Sequence, residues 1–211
     1  MSSAALVLSE VALVNMLGAM SPGPAFVMVS RTAAGQSRAT AFALTAGVTS
    51  AVLAWGAATL FGVQLLMLHA LLLYRTLQLA GALYLLWLGL MAWRHARGAA
   101  ARLAQVTAAA PRSGPRSFLF GFAMNLGNPK LIAYFTSIFA AIVPAAAPLA
   151  LRAGALAIVG ATDFAWYCLV VLAFSSAPMQ RTYRRFAGWI ERLAGTAMIG
   201  FSLRILAGLR G

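Results

Sequence analysis

"MLGAMSPGPAFVMVS", residues Met16–Ser30, is apolar enough to lie inside a bilayer, yet Pro22-Gly23-Pro24 sits near its middle. Proline removes a backbone donor and clashes with the preceding helical turn. In hydrocarbon the groups it frees need partners inside the protein or in a water-lined cavity. The stretch therefore predicts an interrupted membrane helix, and the rest of the chain supports that setting. Of its 211 residues, 62% are hydrophobic and only 9% charged, and the mean hydropathy is +0.86. Soluble domains carry about a quarter charged residues, so the residues that would cover a wet surface are missing. Charge-free runs extend over Val11–Ser30, Ala39–Tyr74, Thr76–Trp93, Ser117–Pro129 and Leu131–Leu151. One crossing of the hydrocarbon core needs about 20 apolar residues.

Charges and turn formers divide the chain into six spans: about Leu6–Val29, Ala39–Val63, Leu72–Trp93, Ser117–Val143, Ala153–Ser175 and Gly188–Leu209. A tight turn between Gln64 and His69 divides the second span from the third, and the polar stretch 94–116 is the one long loop. The N-terminus has no basic region ahead of its apolar run, so the first segment is expected to be retained. Ten arginines follow spans one, three and five, against Arg75, Arg152 and Arg210 on the other side. By the positive-inside rule the odd-numbered loops face the cytoplasm and both termini face outward. Net charge is +13, but the basic residues are scattered between apolar runs. No groove for nucleic acid is expected.

The two halves echo each other. Pro22 is followed 59 positions later by Gly81 in "LAGALYLLWLGL", and Pro129 is followed 66 positions later by Gly195 in "LAGTAMIGFSL". Three-span repeats must be inverted in the membrane because three is odd. The expected fold is an all-α integral membrane protein of six transmembrane helices, built as two inverted three-helix repeats. Helices 1 and 4 are interrupted at prolines. Repeat 1 covers about 6–93, a cytoplasmic loop 94–116 and repeat 2 about 117–209, together one membrane transport domain. Gly47, Gly56, Gly81, Gly89, Gly195 and Gly200 are expected close-packing points for the helices.

A broken helix exposes N–H groups at one new end and carbonyls at the other, ligands for a carboxylate and a cation. "SPGP", with Ser21, Pro22, Gly23 and Pro24, breaks span one, and "NLGNPK", with Asn125, Asn128, Pro129 and Lys130, breaks span four. Asp163 lies near the middle of span five, where an acid is costly and points to function. It either forms a static ion pair with Lys130 or exchanges a proton and a substrate ammonium. Asn15 and the other polar groups on the broken spans either bridge helices or face a cavity. Trp166 and Tyr167, just past Asp163, wall a pocket or pack. Glu191 and Arg192 at the entry to span six are expected anchors. No catalytic set occurs: there are no Ser/His/Asp constellation, paired carboxylates, phosphate-cradling Gly-x-x-x-x-Gly-Lys or HExxH. Cys168 is the sole cysteine, so no thiol relay can run. Neither a metal nor a cofactor is expected, and the chain is not read as an enzyme.

"SPGPAF", "GALYLLWLGL", "NPK" and "DFAWY", in this order and spacing, resemble the lysine exporter (LysE/RhtB) family, over about Leu6–Leu209. The resemblance implies a bacterial inner-membrane carrier that exports amino acids or their derivatives, with protons as counter-ion. Pro22, Gly23, Pro24, Asn128, Pro129, Lys130 and Asp163 match the motifs. One departure is in helix 2, where many relatives carry an acid or strongly polar residue and "AGVTSAVLAWG" offers only Thr49 and Ser50. That favours a neutral substrate such as threonine, homoserine or a leucine-like compound over lysine or arginine. An uncoupled small-solute channel and a non-transporting subunit of a larger complex are the alternatives. A homodimer is left open.

Overall fold

The computed structural model describes residues 3–20, 23–69, 71–98, 113–144 and 147–208. Within these residues the chain is helical, in the order α1 (Ser3–Met20), α2 (Pro24–Gly35), α3 (Arg38–His69), α4 (Leu71–Ala96), α5 (Gly114–Leu126), α6 (Pro129–Ile142), α7 (Leu149–Phe174) and α8 (Ala177–Gly208). Two stretches, Arg38–Gly62 and Leu149–Phe174, are long and apolar enough to cross a membrane by themselves. The pair α1 and α2, bent by 64° across the break, makes a third if it is one span. Large apolar side chains such as Leu72, Trp87, Leu119, Leu169 and Leu203 stand on the outer surface, as expected where the surroundings are lipid tails.

Both expected interruptions are present. Pro24 opens α2 at its first turn, where a missing N–H costs nothing. Asn128 lies between α5 and α6, and α6 likewise opens on a proline, Pro129. Other expectations need correction. The turn expected within Gln64–His69 is not there, because α3 continues to His69. The segment Gln-Leu-Leu-Met-Leu-His contains neither proline nor glycine, and its residues are good helix formers. The loop expected before span six is largely helix, since α8 starts at Ala177 with Pro178 in its first turn. Arg181 and Arg185 are therefore helical residues. Glu191, expected as an interfacial anchor, is buried. Most of the expected loop lies outside the described residues.

α3 and α7 are the central helices. α3 packs on α5, α6 and α7, whereas α7 packs on α1, α2 and α3. α4 and α8 pack on each other; Ser202 Oγ donates to the Ala82 carbonyl at 2.7 Å and Trp93 Nε1 to Thr196 Oγ1 at 3.0 Å. Arg204 on α8 holds Glu10 on α1 at 2.9 Å. The α3–α5 crossing is tight because two glycines face backbone. A Cβ at Gly47 would run into the Phe118 carbonyl, and one at Gly121 would lie 2.5 Å from the Leu44 carbonyl oxygen. Gly200, by contrast, has nothing within 4 Å of the position a Cβ would take, so that glycine is no packing point. Two cores result. One, around Phe135, Ile138 and Phe139, joins α1, α3, α4, α6, α7 and α8. The other, around Phe26, Leu44, Val170 and Phe174, joins α2, α3, α7 and α8.

Candidate functional site

Between the two cores lies a cavity with room for about 40 Å³ of water, enough for a few molecules. Both helix breaks meet there. α1 and α2 contribute Asn15, Gly18, Gly23 and Pro24, while α5, the second break and α6 contribute Asn125, Asn128 and Tyr134. α7 contributes Asp163 and Tyr167.

Asp163 is 5% exposed, although it sits in a helix of otherwise apolar character. Thr49, from α3, donates its hydroxyl to Asp163 Oδ2 at 2.7 Å. Among the described residues Thr49 is the one side chain bonded to Asp163, a single neutral donor to a group with room for several.

The remaining polar groups hold the breaks in place. Asn15 Nδ2 on α1 donates to the Val159 carbonyl at 3.1 Å and to Thr162 Oγ1 at 2.8 Å, one residue from Asp163. Asn125 Nδ2 on α5 donates to the Val48 carbonyl at 3.1 Å, one residue from Thr49. The two asparagines thus register each broken helix against the helix that carries one partner of the Thr49–Asp163 bond. Trp55 Nε1 donates to the carbonyl of Leu126 at 2.7 Å, satisfying an acceptor freed where α5 ends. Tyr134 Oη donates to the Val14 carbonyl at 2.7 Å. Its ring lies against Gly18, where a Cβ would collide with it. Gly23, in extended conformation, is the residue that caps α2, and its carbonyl accepts from the Val27 amide at 3.0 Å. Pro24 has no N–H, so the Ala25 and Phe26 amides are the first donors of α2, and Ala25 lines the cavity. Those amides are suited to an anion.

Residues 16–208 match the family model described as LysE type translocator. The chain belongs to that family. The translocator is 37% identical over 201 residues to the threonine efflux protein of Escherichia coli (strain K12), covering 93% of this chain and 95% of the relative. It is 27% identical to an uncharacterized membrane protein of Haemophilus influenzae, covering 90% of each. A homoserine/homoserine lactone efflux protein of Salmonella typhimurium is 29% identical over 130 residues, 62% of this chain and 57% of that one. No solved structure matches.

Of the translocator's expected site residues, Asn15, Gly23, Pro24, Asn125, Asn128, Asp163 and Tyr167 meet at the cavity. Asn15 and Asn125 both bridge helices and face the cavity, so the two alternatives open for them coexist. Trp166 does not line it; that ring packs in the core around Phe26 and Phe174. Ser21 and Pro22 lie outside the described residues, as do the side chains of Pro129 and Lys130, and with them any Lys130–Asp163 pair. Thr49 is the main addition. The residue that marks the departure from the family pattern in helix 2 is the one that holds the acid. Tyr134, Gly18 and Thr162 were also absent from the expected set. A tyrosine or threonine in an apolar run carries no local signal that separates a site role from packing.

Proposed function

We propose that this LysE type translocator exports a neutral amino acid, threonine or a close analogue, across the bacterial inner membrane in exchange for protons. The observation that carries the reading is Asp163, buried on α7 with Thr49 and facing a cavity shared by both helix breaks. The amides at the start of α2 receive the substrate carboxylate, and Lys130, beside Pro129 in the second break, adds positive charge there. Asp163 receives the ammonium. Release of the amino acid outward leaves the carboxylate to take a proton, which it delivers inward as the next substrate binds. Threonine is favoured by the 37% identical efflux protein named for it, and by Asp163 being the one acid lining the cavity among the described residues.

The proposed frame is six transmembrane helices in two inverted repeats, about 6–93 and 117–209, forming one transport domain. Its support is the exchange of packing partners: α3 takes both halves of the second broken helix, and α7 takes both halves of the first. The cavity, sized for a few waters, must widen to admit an amino acid. Relative motion of the two repeats would supply that.

Cells carrying the protein should export labelled threonine faster than cells lacking it, with the rate rising as external pH falls. Lysine and arginine should show no difference. Threonine export that is equal in both strains sinks the reading. The proposed orientation, with termini outside and the α2–α3 connection inside, predicts that a cysteine placed at exposed Ala39, in a Cys168→Ala background, reacts with a membrane-impermeant thiol reagent only from the cytoplasmic face. Reaction from the outer face reverses the topology.

A further inference from the structure

Asn15, Asn125 and Tyr134 at the cavity have hydrogen-bond partners, but a second set, in the core toward the C-terminal ends of α2 and α7 and the N-terminal end of α3, does not. Ser30 Oγ, Thr45 Oγ1, Trp166 Nε1 and Tyr183 Oη are buried with no hydrogen-bond partner among the described residues. Native proteins rarely leave such groups unpaired, because each loses its water without replacement. Their positions are ordered. Thr45 lies one turn from Thr49 on α3, and Trp166 lies one turn from Asp163 on α7. Ser30 lies one turn beyond Phe26 on α2. Residues three or four apart share a helix face, so these side chains extend the Thr49–Asp163 site away from the cavity.

Three rings stand in the same core. Phe26 on α2, Phe174 at the end of α7 and Tyr183 on α8 are mutually packed, with centroids 5.8 Å apart for Phe26–Phe174, 5.5 Å for Phe26–Tyr183 and 5.2 Å for Phe174–Tyr183. Phe26 is 0% and Phe174 1% exposed. The rings come from three helices, so a shift of α2 or α8 relative to α7 separates them without breaking any backbone hydrogen bond.

We propose that Ser30, Thr45 and Trp166 line the cytoplasmic entry passage of the transporter, a second polar station for the zwitterionic substrate and its water, held shut in this conformation by the Phe26–Phe174–Tyr183 cluster. The hydroxyls and the indole N–H gain water or substrate as partners when the rings part. This inference rests on the export reading for its substrate and direction, but its geometry is tested without transport.

The test uses the full chain in inside-out and in right-side-out membrane vesicles, in a Cys168→Ala background, with a positively charged, membrane-impermeant methanethiosulfonate reagent. With the rings intact, Thr45→Cys should react at least tenfold more slowly than the exposed Ala39→Cys. Adding Phe174→Ala should raise the Thr45→Cys rate at least tenfold from the cytoplasmic face and leave it unchanged from the outer face. Phe26→Leu, which keeps an apolar side chain and spares the fold, should raise it by a smaller factor and decides the matter if Phe174→Ala does not insert. Rates unmoved by the ring substitutions, or raised equally from both faces, overturn the passage. Ring-dependent labelling in a protein that exports no amino acid retains the passage and removes the export reading. Threonine export without ring-dependent labelling does the reverse.

Discussion

Replacing Asp163 by asparagine is expected to reduce pH-driven efflux by about 10- to 100-fold, while the protein still inserts in the membrane at normal levels. The factor follows from losing one charge-assisted contact to the substrate ammonium, worth about 1.5–3 kcal/mol, at about 1.4 kcal/mol per factor of ten. Asparagine keeps the shape and still accepts the Thr49 hydroxyl, so the fold has no reason to fail. It cannot carry the proton, so the remaining rate should no longer depend on external pH. Thr49→Val, which preserves volume and removes the 2.7 Å bond, should cost about 2- to 10-fold and leave the pH dependence in place. The contrast between the two variants separates the group that exchanges the cation from the group that positions it. Efflux of wild-type rate and pH response in Asp163→Asn removes the acid from the mechanism.

The second large effect is on assembly. Gly121→Val should prevent accumulation of folded protein, and Gly121→Ala should lower thermal stability in detergent by about 1–3 kcal/mol, the usual range for overpacking. A Cβ there meets the Leu44 carbonyl oxygen at 2.5 Å, and backbone cannot move aside as a flexible side chain can. Because Leu44 lies on α3 near Thr49, any relief would shift the Thr49 hydroxyl as well as the packing. Gly200→Ala is the control: with nothing within 4 Å of the added atom, it should unfold no earlier than wild type. Equal melting temperatures for the alanine variants at 121 and 200 would show that the α3–α5 crossing is looser than described.

What could be read from sequence follows from which signals are local. Pro24 and Pro129 announce the helix breaks because proline's effect acts on its own helix. Asp163 announces itself because a charge in an apolar run has no cheap explanation in lipid. The partner of that acid lies 114 positions away, and nothing local distinguishes Thr49 from Ser50, whose hydroxyl only bonds back to the Ala46 carbonyl at 2.8 Å. Tyr134 is equally silent, since its bond to Val14 joins α6 to α1. Gly47 could be picked out as a small residue in a span, but Gly121, which packs on Leu44 at the same crossing, could not be chosen without knowing which helices cross. The misplaced boundaries have a related cause. Polarity at Gln64 and the arginines before Gly188 looked like loop, whereas helix propensity there favours continuing past the apolar stretch.

The most direct test of the central claim is made in vesicles reconstituted with the wild-type protein and with Asp163→Asn, loaded with threonine and a pH-sensitive dye. An outward threonine gradient should drive saturable efflux accompanied by proton entry in the wild type, and efflux reduced by about 10-fold or more without proton entry in the variant. Threonine efflux that saturates in the wild type without any proton movement, or that is identical in the two proteins, would contradict the account.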